Sequence, residues 1–97
     1  MSGYCFTSLA RDDLDQIAEY IAERNPTAAE RLVKLIHENI KRLVEFPEAG
    51  FLRSDFGRDI RSMPVGTYII FYRIAQKEIE VIRILHASRD IPRLFGQ

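Results

Sequence analysis

Apolar residues in the first half of the chain recur with helical spacing. After a short β-prone run, Tyr4–Thr7, they fall at Ala10, Leu14, Ile17, Ala18 and Ile21. This three-and-four step lays one stripe along a helix. Ser8 precedes the stripe as the expected N-cap, and Asp12 and Asp13 stand near the helix's positive end, where carboxylates are favoured. Asn25-Pro26 interrupts the pattern and restarts it, with Asn25 as cap and Pro26 at the first helical position. A second stripe follows at Ala29, Leu32, Val33, Ile36, Ile40, Leu43 and Val44, and Phe46-Pro47-Glu48-Ala49-Gly50 stops it. Helices joined by so short a connection run as an antiparallel hairpin.

The period changes after Gly50. Residues 51–57 read as a loop, with Gly50 and Gly57 bracketing Phe51 and Phe56. Arg58–Val65 alternates imperfectly, and Pro64 assigns its end to a sheet edge or a bulge. Thr67–Ile74 is β-branched and aromatic on both faces, the composition of a central strand covered on both sides. Ala75-Gln76-Lys77 turns the chain, and Glu78–His86 returns as another strand. The predicted order is β-α-α-β-β-β, an α+β fold with a helical hairpin packed on a mostly antiparallel sheet. Its 97 residues are enough for one core, so residues 1–97 are expected to form one domain.

Composition narrows the class. A 46% hydrophobic and 29% charged content fits a globular chain rather than a disordered one. The longest apolar run, Tyr68–Tyr72, is strand-sized, and no basic segment precedes a long apolar one near the N-terminus. Neither a membrane span nor a signal peptide is expected, and the expected location is cytoplasmic. The lone Cys5 excludes an internal disulfide and a cysteine-rich zinc site, and is expected to be a small buried hydrophobe.

Fourteen basic residues balance fourteen acidic ones, which argues against nucleic acid as a bulk electrostatic partner. Their distribution is uneven. Residues 1–50 carry 6 basic and 9 acidic side chains, and residues 51–97 carry 8 and 5. Such a split supports either internal salt bridges or a basic surface in the second half that meets an acidic partner.

No metal, phosphate or cofactor site is legible. His37 lies among polar neighbours, and His86 has only Asp90 at ligand-like spacing. What stands out is the arginine set Arg58, Arg61, Arg73, Arg83, Arg89 and Arg93. In an unbroken strand Arg83 would share a face with Ile79, Val81 and Leu85 and oppose His86, so a site using both needs a bulge.

Five stretches, taken in order, resemble a known family. They are Leu9–Ile21, Asn25-Pro26 with its alanines, Phe46-Pro47 before Gly50, Tyr68–Arg73 and Ile82–Asp90. Together they are similar to the RelE/ParE toxin superfamily of bacterial type II toxin–antitoxin modules, with Ile-Leu-His-Ala-Ser-Arg-Asp at 84–90 closest to the ParE branch. The resemblance implies the fold already predicted and a ParD-like antitoxin that wraps the toxin with a C-terminal segment. RelE-like members cut messenger RNA on the ribosome, and ParE-like members poison DNA gyrase by protein–protein binding. Against the RelE pattern, Arg89 is retained, but Phe95 stands where those nucleases carry tyrosine. No lysine occurs between Lys41 and Lys77, where they place basic residues. The resemblance therefore implies a non-catalytic gyrase inhibitor, with ribosome-dependent mRNA cleavage as the alternative. Neither a cofactor, nor direct nucleic-acid binding, nor a membrane partner is expected.

The residues suggest surfaces for both partners. Toxicity is assigned to the C-terminal end: Arg83, His86, Arg89, Asp90, Arg93, Leu94 and Phe95. Arginine and aromatic side chains at the end of a rigid strand are typical binding anchors. For the antitoxin, the expected groove uses Tyr20, Phe51, Phe56, Ile91 and Leu94, with Arg58 and Arg61 at its polar rim.

Overall fold

The structure is a computed structural model, and it describes residues 3–89 and residue 91. Helix α1 (Ser8–Ala22) follows strand β1 (Gly3–Phe6) and turns back into helix α2 (Pro26–Glu45). Strands β2 (Phe51–Leu52), β3 (Arg61–Val65), β4 (Tyr68–Ala75) and β5 (Glu78–His86) complete the chain. Among the described residues the strands form one five-stranded sheet in the order β1-β5-β4-β3-β2. All neighbours are antiparallel except β1 and β5, which run parallel. The predicted architecture holds, with one addition. Residues 51–52, read as loop, pair with Arg61 and Ser62 as a short edge strand.

Both helix starts are capped by side chains. Asn25 Oδ1 accepts from Ala28 N at 3.0 Å, with Pro26 next, as the sequence predicts. The cap of α1 is Thr7 rather than Ser8: its Oγ1 accepts from Ala10 N at 3.1 Å and donates to Ile82 O at 2.8 Å. The second bond ties the cap to the sheet, which Ser8, one residue inside the helix, does not do here. The strand expected from Arg58 begins at Arg61, because Asp59 turns the backbone to a positive φ of 61°.

The helix stripes pack onto one face of the sheet. Ala10, Leu14, Ile36, Ile40 and Leu43 meet Val65, Ile70, Tyr72, Ile79, Val81 and Ile84. On the opposite face Phe71 and Leu85 are buried under Phe56, Ile60 and Ile91. Strand β4 is therefore covered on both sides, as its composition predicts. Coverage stops short of β1. Tyr4 and Phe6 face the helices, so alternation turns Cys5 to the other face, beyond the second cluster. Cys5 is exposed, correcting the expectation of a buried thiol. Desolvation, followed by the charges of Glu80 and Glu78, holds the thiol pKa above its ordinary value.

The step from α2 to β2 is clamped by one buried phenol. Tyr72 Oη donates to Pro47 O at 2.7 Å and accepts from Gly50 N at 2.9 Å. Gly50 is required for this approach, since a Cβ there would lie 2.5 Å from the phenol oxygen and 2.9 Å from Ser62 O. Arg61 adds a 3.0 Å hydrogen bond to Gly50 O. Among the described residues no helix is long and apolar enough to cross a membrane.

Candidate functional site

The site is built where the pairing of β5 changes. Phe71 pairs with Arg83 and Tyr72 with Val81, so β5 carries one more residue than β4 at this point. The bulge reverses the alternation. Ile79 and Val81 face the helices and Ile82 faces away, yet Ile84 again faces the helices and Leu85 faces away. The face-sharing of Arg83 with Ile79, Val81 and Leu85, expected for an unbroken strand, does not occur.

Strand β1 ends its pairing at Phe6 opposite Val81, and past that point side chains of α1 bond the strand. Asp13 accepts from Arg83 Nε at 2.8 Å, from Arg83 Nη2 at 2.9 Å and from Ile84 N at 3.0 Å. The Asp13 hydrogen bond raises the Arg83 pKa, outweighing desolvation, so the guanidinium stays charged. This is the salt bridge between an acidic helix and a sheet arginine that the uneven charge distribution suggests. Other arginines of the second half pair closer by: Arg73 with Glu80 and Arg61 with Glu48 from the sheet, and Arg53 with Asp55 and Arg58 with Asp59 in the loop between β2 and β3.

Beside this junction lies a groove of about 360 Å³ lined by Asp13, Gln16, Ile17 and Tyr20 of α1 and by Tyr68, Ile84, Leu85, His86 and Arg89. Tyr20 is 64% exposed, and the His86 ring meets Tyr68 edge-on with centroids 5.2 Å apart. Ser88 N donates to His86 Nδ1 at 3.1 Å, and Ser88 Oγ lies 2.7 Å from the same nitrogen. An amide donor requires Nδ1 to accept, which places the neutral ring's proton on Nε2. The groove thus offers two phenols, an imidazole N–H and an exposed arginine around an aliphatic floor.

Of the residues assigned to toxicity, His86 and Arg89 meet in this groove, while Arg83 is bound to Asp13 beside it. Asp90, Arg93, Leu94 and Phe95 lie outside the described residues. The residues assigned to the antitoxin do not come together. Tyr20 lines the same groove as His86, whereas Phe56 and Ile91 are buried in the second core cluster. Phe51 is 69% exposed on the β2 edge, Arg58 is exposed, Arg61 is turned onto the 48–50 backbone, and Leu94 lies outside the described residues. His37, read as structural or solvated, shares a 3.1 Å hydrogen bond with Tyr4 Oη.

A second groove, of about 540 Å³, runs between the helices and has a floor of Ala18, Ala22, Pro26, Ala29 and Val33. Glu19, Glu30 and Lys34 also line it. Sequence reading missed this surface because its small residues sit at the margins of the two core stripes.

Residues 4–91 match the family described as ParE toxin of type II toxin–antitoxin system, parDE. The chain belongs to the ParE toxin family. Among curated relatives, toxin RelE2 of Caulobacter vibrioides is 33% identical over 89 residues, covering 92% of this chain and 99% of the relative. Among solved structures, the chromosomal ParDE toxin–antitoxin system of P. aeruginosa superposes with a TM-score of 0.74 at 27% identity, covering 89% of this chain and 95% of that one. The RelBE2 toxin–antitoxin complex of Mycobacterium tuberculosis superposes with a TM-score of 0.60 at 25% identity, covering 87% and 95%. The ParE family thus shares its fold with structures of both names, and this chain is a toxin of the ParE/RelE type.

Proposed function

We propose that this toxin acts by binding DNA gyrase through the groove of Tyr20, Tyr68, His86 and Arg89, and that a ParD-like antitoxin neutralises it. The observation that carries the reading is the ParE family match across residues 4–91, which spans every element that builds the groove. The groove's chemistry agrees with protein recognition. Tyrosine and arginine at a concave, partly apolar surface are the residue types that dominate binding energy at protein interfaces. Arg83, a further cation nearby, is neutralised by Asp13 and is not free to hold a phosphate.

For the antitoxin, the groove between the helices suits an amphipathic helix. Its alanine floor lets a partner backbone approach closely, and Glu19, Glu30 and Lys34 offer charges at its margin. The two grooves lie on different sides of α1, since Tyr20 lines one and Ala18 and Ala22 the other.

A second reading, mRNA cleavage, draws on the RelE2 relative and on the His86 imidazole, which has the chemistry for proton transfer. Expression without antitoxin separates them. Growth arrest with filamentation and DNA-damage signalling is the expected outcome, and co-expression of the neighbouring reading frame restores growth. Rapid loss of translation with cleaved messages overturns the gyrase reading in favour of the nuclease.

A further inference from the structure

Resting on that reading of the groove, we propose that Asp13 and Arg83 are a positioning pair: they set the groove's geometry by fixing the second half of β5 to helix α1. The groove has two walls from different elements, with Tyr20 on α1 and His86 on β5. Strand β1 does not hold them together, because its pairing with β5 stops at Val81. Beyond Val81, Thr7 Oγ1 reaches Ile82 O at 2.8 Å, and further along α1 Asp13 takes up Ile84 N and the Arg83 fork. Asp13 thus bonds the β5 backbone two residues before His86.

The geometry of the pair suits this task. Two parallel N–H···O bonds between a guanidinium and a carboxylate fix orientation as well as distance. The side chains of Arg83 and Asp13 are only 14% and 13% exposed, so water does not compete strongly for the bonds. A third bond, from Ile84 N, attaches the carboxylate to the strand backbone itself. The arrangement also explains the bulge: without the extra residue, Ile84 would turn away from the helices, and His86 with it. A groove wall that shifts loses the close packing on which binding anchors depend.

Two readouts separate positioning from plain stability, because the antitoxin groove between α1 and α2 contains neither residue. Asp13→Asn and Arg83→Lys would each be expressed at matched protein level, scored for growth arrest, and titrated with the antitoxin. Each keeps a polar side chain of similar size but breaks the charged fork. The expected result is at least a tenfold weakening of growth arrest with antitoxin affinity held within about threefold. Toxicity and antitoxin affinity falling together, or failure of both variants to bind antitoxin, would make the pair structural and overturn the proposal. Undiminished toxicity of both variants would overturn it too. Arg89→Ala and Tyr20→Ala are run alongside. If they leave toxicity intact, the groove reading itself fails. If they abolish it while Asp13→Asn does not, only the positioning role fails.

Discussion

Residues Glu78–Val81 of β5 have a strand on each side, β1 in parallel and β4 antiparallel, whereas Arg83–His86 have β4 on one side and helix α1 on the other. The first half is ordinary sheet, and its inward residues Ile79 and Val81 have no exposed surface. The second half is held by a carboxylate, and it carries His86 and leads to Arg89. Backbone pairing is insensitive to side-chain identity; the junction with α1 depends on named side chains. The groove lined by His86 and Arg89 is thus at the place where sheet regularity gives way to specific contacts. Substitutions in the first half should act through the fold alone, and those in the second half should be able to separate fold from function.

The largest effect tests the first half. Ile79→Ala removes a fully buried side chain from the core under the helices, at a cost of about 2–5 kcal/mol. In a domain of this size each kcal/mol lowers Tm by about 4–8 °C. Thermal melts should show a loss of at least about 8 °C, and toxicity and antitoxin binding should fall together. A variant that loses toxicity while melting normally would break the comparison.

The same division explains what could be read from the sequence. The helix stripes, the Asn25-Pro26 restart and the doubly covered strand 68–75 are periodic or carry fixed backbone preferences, so local residue types suffice to find them. The parallel pairing of β1 and the bulge are not local. Nothing in Val81-Ile-Arg-Ile84 marks one residue as extra. Thr7 and Asp13, which meet the strand at the slip, lie about 70 residues earlier in the chain. Asp13 read as a carboxylate near a helix N-terminus; only the opposite net charges of the chain halves hinted at a partner. His86 and Arg89, both assigned to the C-terminal surface, line one groove, whereas Phe56 and Ile91, assigned to an antitoxin groove, are core. A loop aromatic and a residue beyond the last strand carry no periodicity that would bury them.

A middle effect probes the strand opposite the bulge. Tyr72 pairs with Val81 at the register step, and its phenol holds the 46–50 turn. Tyr72→Phe leaves Gly50 N–H and Pro47 C=O without that partner, a loss of about 1–3 kcal/mol. Burial pushes the Tyr72 pKa up, against smaller lowering influences of the Gly50 hydrogen bond and the Arg61 charge. The sign follows from linkage. The unfolded phenol ionises near pH 10 and the folded one higher, so the stabilisation is full below about pH 10 and is lost as pH rises through the folded value. Chemical unfolding measured from pH 8 to 11 should show a falling alkaline limb that is shallower in Tyr72→Phe. An unchanged limb would mean that Tyr72 is not the group responsible.

The smallest quantity, a difference between two caps, isolates the junction itself. Thr7 caps α1 and also bonds Ile82 O inside the bulge, whereas Asn25 caps α2 at an exposed position. Removing a cap by substitution to alanine costs about 0.5–2 kcal/mol. Asn25→Ala should show the cap alone. Thr7→Ala should show the cap plus the tie to the sheet, and so exceed it by roughly 1 kcal/mol. Thr7→Ser, which keeps the hydroxyl, should recover most of the difference. Both hydroxyl bonds lie on the α1 side of β5, so Thr7→Ala should also speed amide exchange at Arg83–His86 while leaving Glu78–Val81 slow. Equal losses for Thr7→Ala and Asn25→Ala, with exchange unchanged in both halves, would mean that the Thr7 bond to Ile82 does not hold the strand. The attachment of the second half of β5 to α1 would then fall to Asp13 alone.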